Sequence, residues 1–520
     1  MSSPAPTSGG VDPHLASERE KQYQRQKNAA TKDRKSKFEE MAADSGDTGP
    51  VVVAGGNMNE YMSSVLPSLD ETDSPRADGT PKVVKASKPP PPTAKAYDAE
   101  TRRASSHIPS AIVAPLVGSC ADSGQRPITV FEGFKHTVKK HGKRNALMYK
   151  LKHEDPYTAV SWDQYFEETL KFARALVAIN FNPHASVNIL GYNSCPWFYC
   201  EMGCIAAGGM AAGIYQTNMP EAVAYIMSHS DCEVLCVDEP GQLKKVSGMI
   251  AEGKFPKLKA VVQWAGEMEP KGTKFGTVPF YSYNDFVALG VGKQAEVDAR
   301  LKIQNPGHCC SLIYTSGTTG PPKAVMISHD NAVWTSSAAE NCMGGGNVDD
   351  RLISYLPLSH IAAQMLDIFL PMLTGACVYF ALPDALRGTL ALQLQCVKPT
   401  LFFGVPRVWE KIYEKMMAIG KKTTGALKKA ATWAKQKGTE RNQRAQYGHK
   451  DGGMPLSWVM AHLILKKIHK ALGLNKCRGC FTGAAPIALN VLQYFASLDI
   501  PIYELFGQSE CTGPHTMNFP

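Results

Sequence analysis

From Pro127 onward, short apolar runs alternate with longer stretches in which apolar residues recur every three or four positions. The runs Val187–Leu190, Glu233–Val237, Ala260–Trp264, Cys310–Tyr314, Leu352–Tyr355, Cys377–Phe380 and Thr400–Phe403 predict strands. Between them, Pro220–Ser228, Asn331–Asn341, Ile361–Leu373 and Arg407–Ile419 predict helices; the first opens on a proline, which a first turn tolerates. Ser161 and Gln164 form a capping box ahead of Phe166, Leu170, Ala173 and Val177 at helical spacing. Alternation of this kind predicts an α/β chain of mostly parallel sheets with helices on both faces. Ligands of such sheets collect at the carboxyl ends of the strands, so the loops there are where chemistry is sought. Val187 to Tyr215 is the longest weakly charged run, but Glu201, Asn188, Asn193, Pro196 and five glycines interrupt it. It predicts a buried strand and helix, not a membrane span.

Residues 1–126 lack this patterning. They hold the charged run Glu18–Glu40, many Ser, Pro and Gly, and the Pro89–Pro92 tract inside Lys85–Lys95. Too little apolar surface is available to offset ordering entropy, which predicts a largely disordered extension; residues 18–40 are open between an isolated helix and one formed on a partner. The first residues carry no secretory pattern, Ser2 does not suit N-myristoylation, and the last three are no retention or peroxisomal address. All 14 cysteines lie at Cys120 or later, and the expectation is reduced, buried thiols in an intracellular protein. Cys477-Arg-Gly-Cys480 is read as two packed cysteines leading into a turn, since a second ligand pair is missing.

A length of 520 residues allows two to four domains, and 44% hydrophobic residues exclude a wholly disordered chain. The net charge of +9 misleads. Residues 411–470 hold 14 Lys and Arg against 3 Asp and Glu, so the remainder is slightly acidic and a nucleic-acid-binding class is excluded. The basic stretch has two readings. Lys421–Lys450 is either a helix-and-loop insertion whose charges face water, or a surface drawn to anionic lipid head groups or CoA phosphates.

One loop carries candidate chemistry. Thr315-Ser316-Gly317-Thr318-Thr319-Gly320-Pro321-Pro322-Lys323 follows an apolar strand. Its glycines allow close backbone approach, its hydroxyls and N–H groups are donors, and Lys323 adds a full charge, which together make a polyphosphate cradle. The spacing differs from a P-loop, because Lys323 follows Pro-Pro and no helix can begin there.

S-G-T-T-G-x-P-K resembles the phosphate-loop signature of the AMP-forming adenylating enzymes, which include acyl-CoA synthetases, luciferases and peptide-synthetase adenylation domains. Three further segments resemble that family in the same order: Tyr355-Leu356-Pro357-Leu358-Ser359-His360, Gly483-Ala484-Ala485-Pro486, and Tyr503-Glu504-Leu505-Phe506-Gly507-Gln508-Ser509-Glu510, in which Phe506 stands for the usual tyrosine. Leu356–Gln364, Pro383–Leu386, Gly404–Lys411 and Gly513–His515 bring the similarity to the bubblegum-type long-chain fatty acyl-CoA synthetases. It runs from about Pro127 to Pro520.

The resemblance implies the large N-terminal domain of these ligases over 127–520, incomplete at its end and without the C-terminal lid, after an extension over 1–126. It implies a long-chain fatty acid–CoA ligase using ATP, Mg²⁺ and CoA, with impaired activity for these residues alone. Thr315–Gly320 and Lys323 would stabilise charge on the phosphates, and Glu510 would hold Mg²⁺. Gly483–Pro486 and Tyr503–Glu510 would line the ATP site, with Thr315, Lys323, His360 and Glu510 as catalytic residues. His360, Ile361 and Gln364 would line the acyl pocket, Gln364 standing where some long-chain relatives carry a tryptophan gate. Ala324 replaces a glycine. For His360 alone, the residues suggest a histidine at a helix N-terminus bonding a backbone carbonyl. The implied location is cytoplasmic, with the lipid reading of the basic stretch adding peripheral contact at the endoplasmic reticulum. Two alternatives stand beside this: an adenylating ligase for another carboxylate, and a short inactive form that binds nucleotide or partners.

Overall fold

Ser161 caps its helix as its spacing predicts. Its Oγ accepts from the Gln164 N–H at 3.2 Å while Gln164 Oε1 accepts from the Ser161 N–H at 2.8 Å, opening the helix Trp162–Ala178. The computed structural model describes residues 127–315, 321–446 and 456–518. The predicted extension 1–126 lies outside them. Thr129 with Glu132 opens Val130–His141 by the same device, and Ser328 with Asn331 opens His329–Cys342. The two N-terminal helices meet through Phe131, Phe134, Trp162, Tyr165 and Phe166, whose ring centroids lie 4.8–6.0 Å apart where they touch.

Three sheets carry the described residues. The largest has eight strands, in the order Lys323–Ser328, Cys309–Thr315, Met210–Ile214, Ser186–Leu190, Cys232–Val237, Ala260–Gln263, Val278–Ser282 and Lys274–Phe275. Its six inner strands are mutually parallel and its two edge strands antiparallel. A second sheet joins Arg351–Ser354, Cys377–Phe380 and Asn145–Tyr149 in parallel, with Thr158–Ser161 antiparallel at the edge. The third aligns Leu401–Phe403, Gly479–Thr482 and Ile502–Gln508 in parallel and closes on Gly513–Met517. All seven predicted strands are present to within a residue or so. Met210–Ile214 escaped prediction because Ala and Gly are poor strand formers; burial on both faces overrides that preference.

The second and third sheets are clamped together at the amino ends of their strands. Asp350 accepts from Arg478 at 2.7 Å and from the Thr400 hydroxyl at 2.7 Å, while Arg478 also donates to the Met343 and Gly345 carbonyls. Burial opposes ionisation of Asp350, yet these bonds prevail and hold its carboxyl below the ordinary value.

Two expectations need correction. Ile361–Leu373 is not one α-helix: Ile361–Gln364 passes into a π turn over Met365–Phe369 before Leu370–Thr374. Pro371 has no N–H to give the carbonyl four residues back, and the widened turn accommodates it. Nor do all charges of the basic stretch face water. In the helix Gly425–Gln446, Arg441 pairs with Asp499 at 2.7 Å, Lys435 lies 4.4 Å over the Tyr494 ring, and Gly438 lets the helix press against the Ser497 carbonyl. Residues 447–450 lie outside the described residues. Cys477 and Cys480 are a thiol pair, Sγ–Sγ 3.5 Å, at the start of Gly479–Thr482, in keeping with the packed reading.

Val187–Tyr215 forms a strand, the helix Cys195–Ala206 and the strand Met210–Ile214; no described helix is long and apolar enough to cross a membrane. Glu201 is wholly buried on that helix, and burial pushes its carboxyl well above the ordinary 4.5. The folded state therefore keeps a proton that the unfolded chain releases as pH rises past about 4.5. Stability from this group is full at lower pH and declines above it, by up to ~1.4 kcal/mol per pH unit. Glu201→Gln removes that slope. Urea unfolding between pH 5 and pH 8 should show the variant gaining on the parent as pH rises, whereas parallel curves would contradict a buried neutral acid.

Candidate active site

The phosphate-loop strand Cys309–Thr315 turns back on itself. Lys323–Ser328 pairs antiparallel with it, Lys323 facing Thr315 and Ala324 facing Tyr314, and the Thr315 hydroxyl lies 3.5 Å from the Lys323 carbonyl. The two strands form an antiparallel pair at the sheet edge, and no helix follows the Pro-Pro step before the lysine. Thr315 and Lys323 stand at the two bases of the loop, with Lys323 exposed; Ser316–Gly320 lie outside the described residues. Ala324 occupies an ordinary strand pair, so its Cβ meets no conformational obstacle.

The segment Tyr355–His360 lies beside this hairpin because of a close backbone contact. A Cβ on Gly213, in the neighbouring strand, would sit 2.8 Å from Ser359 Cα, so only glycine lets the turn approach. His360 caps the short helix that follows: Nδ1 accepts from the Ala362 N–H at 3.1 Å. The expected bond to a backbone carbonyl is therefore reversed in polarity, because a helix N-terminus offers N–H groups. Burial lowers the pKa of His360, and with Nδ1 accepting, its proton sits on Nε2.

Gln364, expected in an acyl pocket, is fully buried with both ends of its amide engaged. Its Nε2 donates to the Leu358 carbonyl at 3.0 Å, and its Oε1 accepts from the Ser311 hydroxyl at 3.0 Å. It ties the His360 turn to the phosphate-loop strand. Ile361 is also buried. The residues that line a cavity near this helix are instead Ala363, Leu366 and Asp367, facing Ile353, Phe402 and Phe481 across about 20 Å³, room for about one water. Burial pushes the Asp367 carboxyl up to about 8, against a bond from Ser354, whose Oγ accepts from Asn193 at 2.8 Å. The π turn brings this acid among apolar walls. An aspartate inside Ile361–Leu373 was the visible signal, and only the register of the π turn was hidden.

The remaining two motifs sit at the carboxyl ends of the third sheet. Gly483 follows Gly479–Thr482, and a Cβ there would meet the Leu505 carbonyl at 2.8 Å. Ala484 holds φ +68°, a left-handed conformation that costs a non-glycine residue ~1 kcal/mol or more, and Ala484–Pro486 are exposed. Tyr503–Gln508 lie on the strand Ile502–Gln508, beside that turn; Ser509 and Glu510 follow in a tight turn with Glu510 exposed. Phe506 is exposed and packs edge-to-face on His515 at 4.8 Å. This tight turn lies against the strand that Lys323 begins, and the helix Ile361–Gln364 lies against Gly513–Met517. The four segments therefore face one region, at the carboxyl ends of parallel strands from all three sheets.

Residues 134–520 match the AMP-binding enzyme family over most of the chain. The chain belongs to that family. Among relatives of this AMP-binding enzyme, the long-chain-fatty-acid–CoA ligase ACSBG2 of Xenopus laevis is 43% identical over 399 residues, covering 76% of this chain and 52% of the relative. The ACSBG2 of Gallus gallus is 42% identical over 76% of this chain and 51% of the relative, and the long-chain-fatty-acid–CoA ligase ACSBG1 of Mus musculus 39% over 76% and 54%. The chain spans about half the length of the curated relatives it matches. Among solved structures, the anthranilate CoA ligase AuaEII in complex with anthranoyl-AMP superposes with TM-score 0.55 at 18% identity, over 77% of this chain and 63% of that one. The N-terminal domain of FACL13 from Mycobacterium tuberculosis gives 0.52 at 16%, over 75% and 78%. The fold is that of the N-terminal part of adenylate-forming ligases, as the sequence implied.

The Gln364 tie has a measurable consequence. Gln364→Leu keeps the volume but takes the amide donor from the Leu358 carbonyl and leaves the Ser311 hydroxyl only the Ala211 carbonyl at 3.4 Å, and should cost about 1–3 kcal/mol in chemical unfolding. An unchanged midpoint would mean that neither bond supports the turn.

Proposed function

We propose that this chain activates a long-chain fatty acid with ATP to its acyl-adenylate, the first half of an AMP-forming fatty acid–CoA ligase reaction that ends in transfer to CoA. The observation that carries the reading is the meeting of the hairpin, the His360 turn, the Gly483 turn and the Glu510 turn at one set of strand ends. Identities of 38–43% to long-chain-fatty-acid–CoA ligases support the substrate class.

In this reading, the fatty acid carboxylate attacks the α-phosphorus and pyrophosphate departs. Charge builds on the phosphate oxygens, and the donors of Thr315–Gly320 with Lys323 offset it from fixed positions. Gly483–Pro486 and the backbone of Tyr503–Gln508 would frame the adenine and ribose. Glu510, exposed at its turn, would hold Mg²⁺ together with the substrate phosphates, and the ion would supply positive charge against the departing pyrophosphate. His360 presents a neutral Nε2–H, the right donor for a carboxylate that must stay nucleophilic. The acyl chain would run toward Ala363, Leu366 and Asp367, parting the present walls, with Gln364 setting the pocket's edge from behind. Residues 127–520 would then be the adenylating domain, with 1–126 an extension to it. A cytoplasmic location with peripheral contact at the endoplasmic reticulum, and no nucleic-acid partner, completes the reading.

The test is fatty-acid-dependent ATP–pyrophosphate exchange across a panel of carboxylates, in a version of the chain continued to the full length of its relatives. Long-chain acids should stimulate exchange most, and Lys323→Ala should lower it by about 10²–10³-fold. Exchange that is unchanged in Lys323→Ala removes the assigned role, and a preference for short or aromatic acids removes the substrate.

A further inference from the structure

The helix Leu456–Leu472 packs by one face only. Trp458, Ala461, Leu465 and Leu472 are buried, and Trp458 lies under Arg441 at 5.0 Å. Its outer face begins with Leu456, Val459, Met460 and Leu463, which are 76%, 42%, 56% and 59% exposed. These positions follow the i, i+3, i+4, i+7 spacing of a single stripe. Scattered exposed apolar residues are ordinary in any protein, but four aligned over two turns form a patch that calls for a partner. The same face continues as Lys466, Lys467 and Lys470, all exposed, and the helix contains no acidic residue.

We propose that this face docks on an anionic lipid bilayer, with the apolar half of the stripe entering the head-group region and the lysines pairing with lipid phosphates. Charge complementarity selects this occupant. A second copy of the helix would set lysines against lysines or against leucines, with no carboxylate to receive them. A bilayer offers both an apolar layer and negative charge, the two things the stripe presents. The inner surface of this helix and its neighbour Gly425–Gln446 is held by Arg441–Asp499 at 2.7 Å and by His469 bonding the Leu498 carbonyl at 2.7 Å, so the helix need not leave its place to bind. The inference gives the membrane contact of the proposed function a defined surface, but it does not depend on catalysis.

Flotation of the full chain with phosphatidylcholine vesicles, and with vesicles containing about 30% phosphatidylserine, tests it at low and high salt. Binding should require phosphatidylserine and weaken with salt. Lys466→Gln/Lys467→Gln/Lys470→Gln should weaken it on the order of a hundredfold, about fivefold per lysine. Leu456→Ser/Val459→Ser/Met460→Gln/Leu463→Ser, all at exposed positions, should abolish it with circular dichroism and Tm unchanged. Absence of parent binding overturns the proposal, and so does binding that neither variant weakens. A parent that sediments as a dimer, floats with no vesicle and becomes monomeric in the apolar variant would assign the face to self-association instead. Flotation needs no turnover, so a chain that floats while its version continued to the relatives' full length shows no exchange sinks the ligase reading alone, and exchange without flotation sinks this one alone.

Discussion

The buried amide of Gln364 sets where the site's parts stand. It bonds the phosphate-loop strand at Ser311 and the turn that carries His360 at Leu358, each at 3.0 Å. A buried amide has few alternative partners and pays heavily for lost ones, so it acts as a spacer of fixed length. Gly213 supplies the complementary constraint, since its missing Cβ is the room into which Ser359 fits. One hydrogen-bonded tie and one close backbone contact thus hold the hairpin bases and the His360 ring in fixed relation. Neither touches the exposed groups, Lys323 and Glu510, to which the chemistry is assigned. The rigid part of the site is buried and uncharged, and the charged part stands on its rim.

The sequence made the parallel α/β architecture legible, because seven of its strands and several of its helices announce themselves by alternation and by caps such as Ser161–Gln164. The phosphate loop was legible from its glycines and hydroxyls, and the other three motif segments only through their resemblance to a known family. What escaped depends on tertiary context. Met210–Ile214 reads as Ala-Gly filler until both its faces are covered. The polarity of the His360 bond follows from a helix start, which local pattern locates only to within a residue or two. The register of Ile361–Leu373 turns on Pro371 and the π turn, which rotate Asp367 toward the cavity. Gln364 could not be read as a tie, since its two partners lie 6 and 53 residues away.

Two local costs fall at this site. Ala484 adopts a left-handed backbone conformation without being glycine, and Asp367 is kept largely protonated at neutral pH by burial. Both are unfavourable in isolation, and a structure retains such features where the surroundings over-determine them. At Ala484 the surroundings are the Gly483 contact with Leu505 and the strand pairing that places Thr482 opposite Glu504. At Asp367 they are Ser354 and, behind it, Asn193, which couple the acid to the loop after Ser186–Leu190. The second sheet therefore contributes to the site twice, through this buried polar chain and through the Tyr355–His360 segment that follows its strand Arg351–Ser354.

The basic stretch divides along the same line between buried order and exposed charge. Its net charge is concentrated in residues 411–470, yet the structure consumes part of it internally: Arg441 on Asp499, Lys435 over Tyr494, Lys437 on Glu440. The first two contacts fasten the helical pair to Leu489–Ser497 and the residues just after it, and hence to the third sheet, while the third stays within its helix. Exposed surface ion pairs contribute little to stability, so the lysines left outside have no structural reason to cluster. Clustering without acids, beside a stripe of exposed Leu, Val and Met, is costly for solubility unless a partner meets both features at once. The inner half of the pair explains why the helices are there; only the outer half remains to be explained by what they touch.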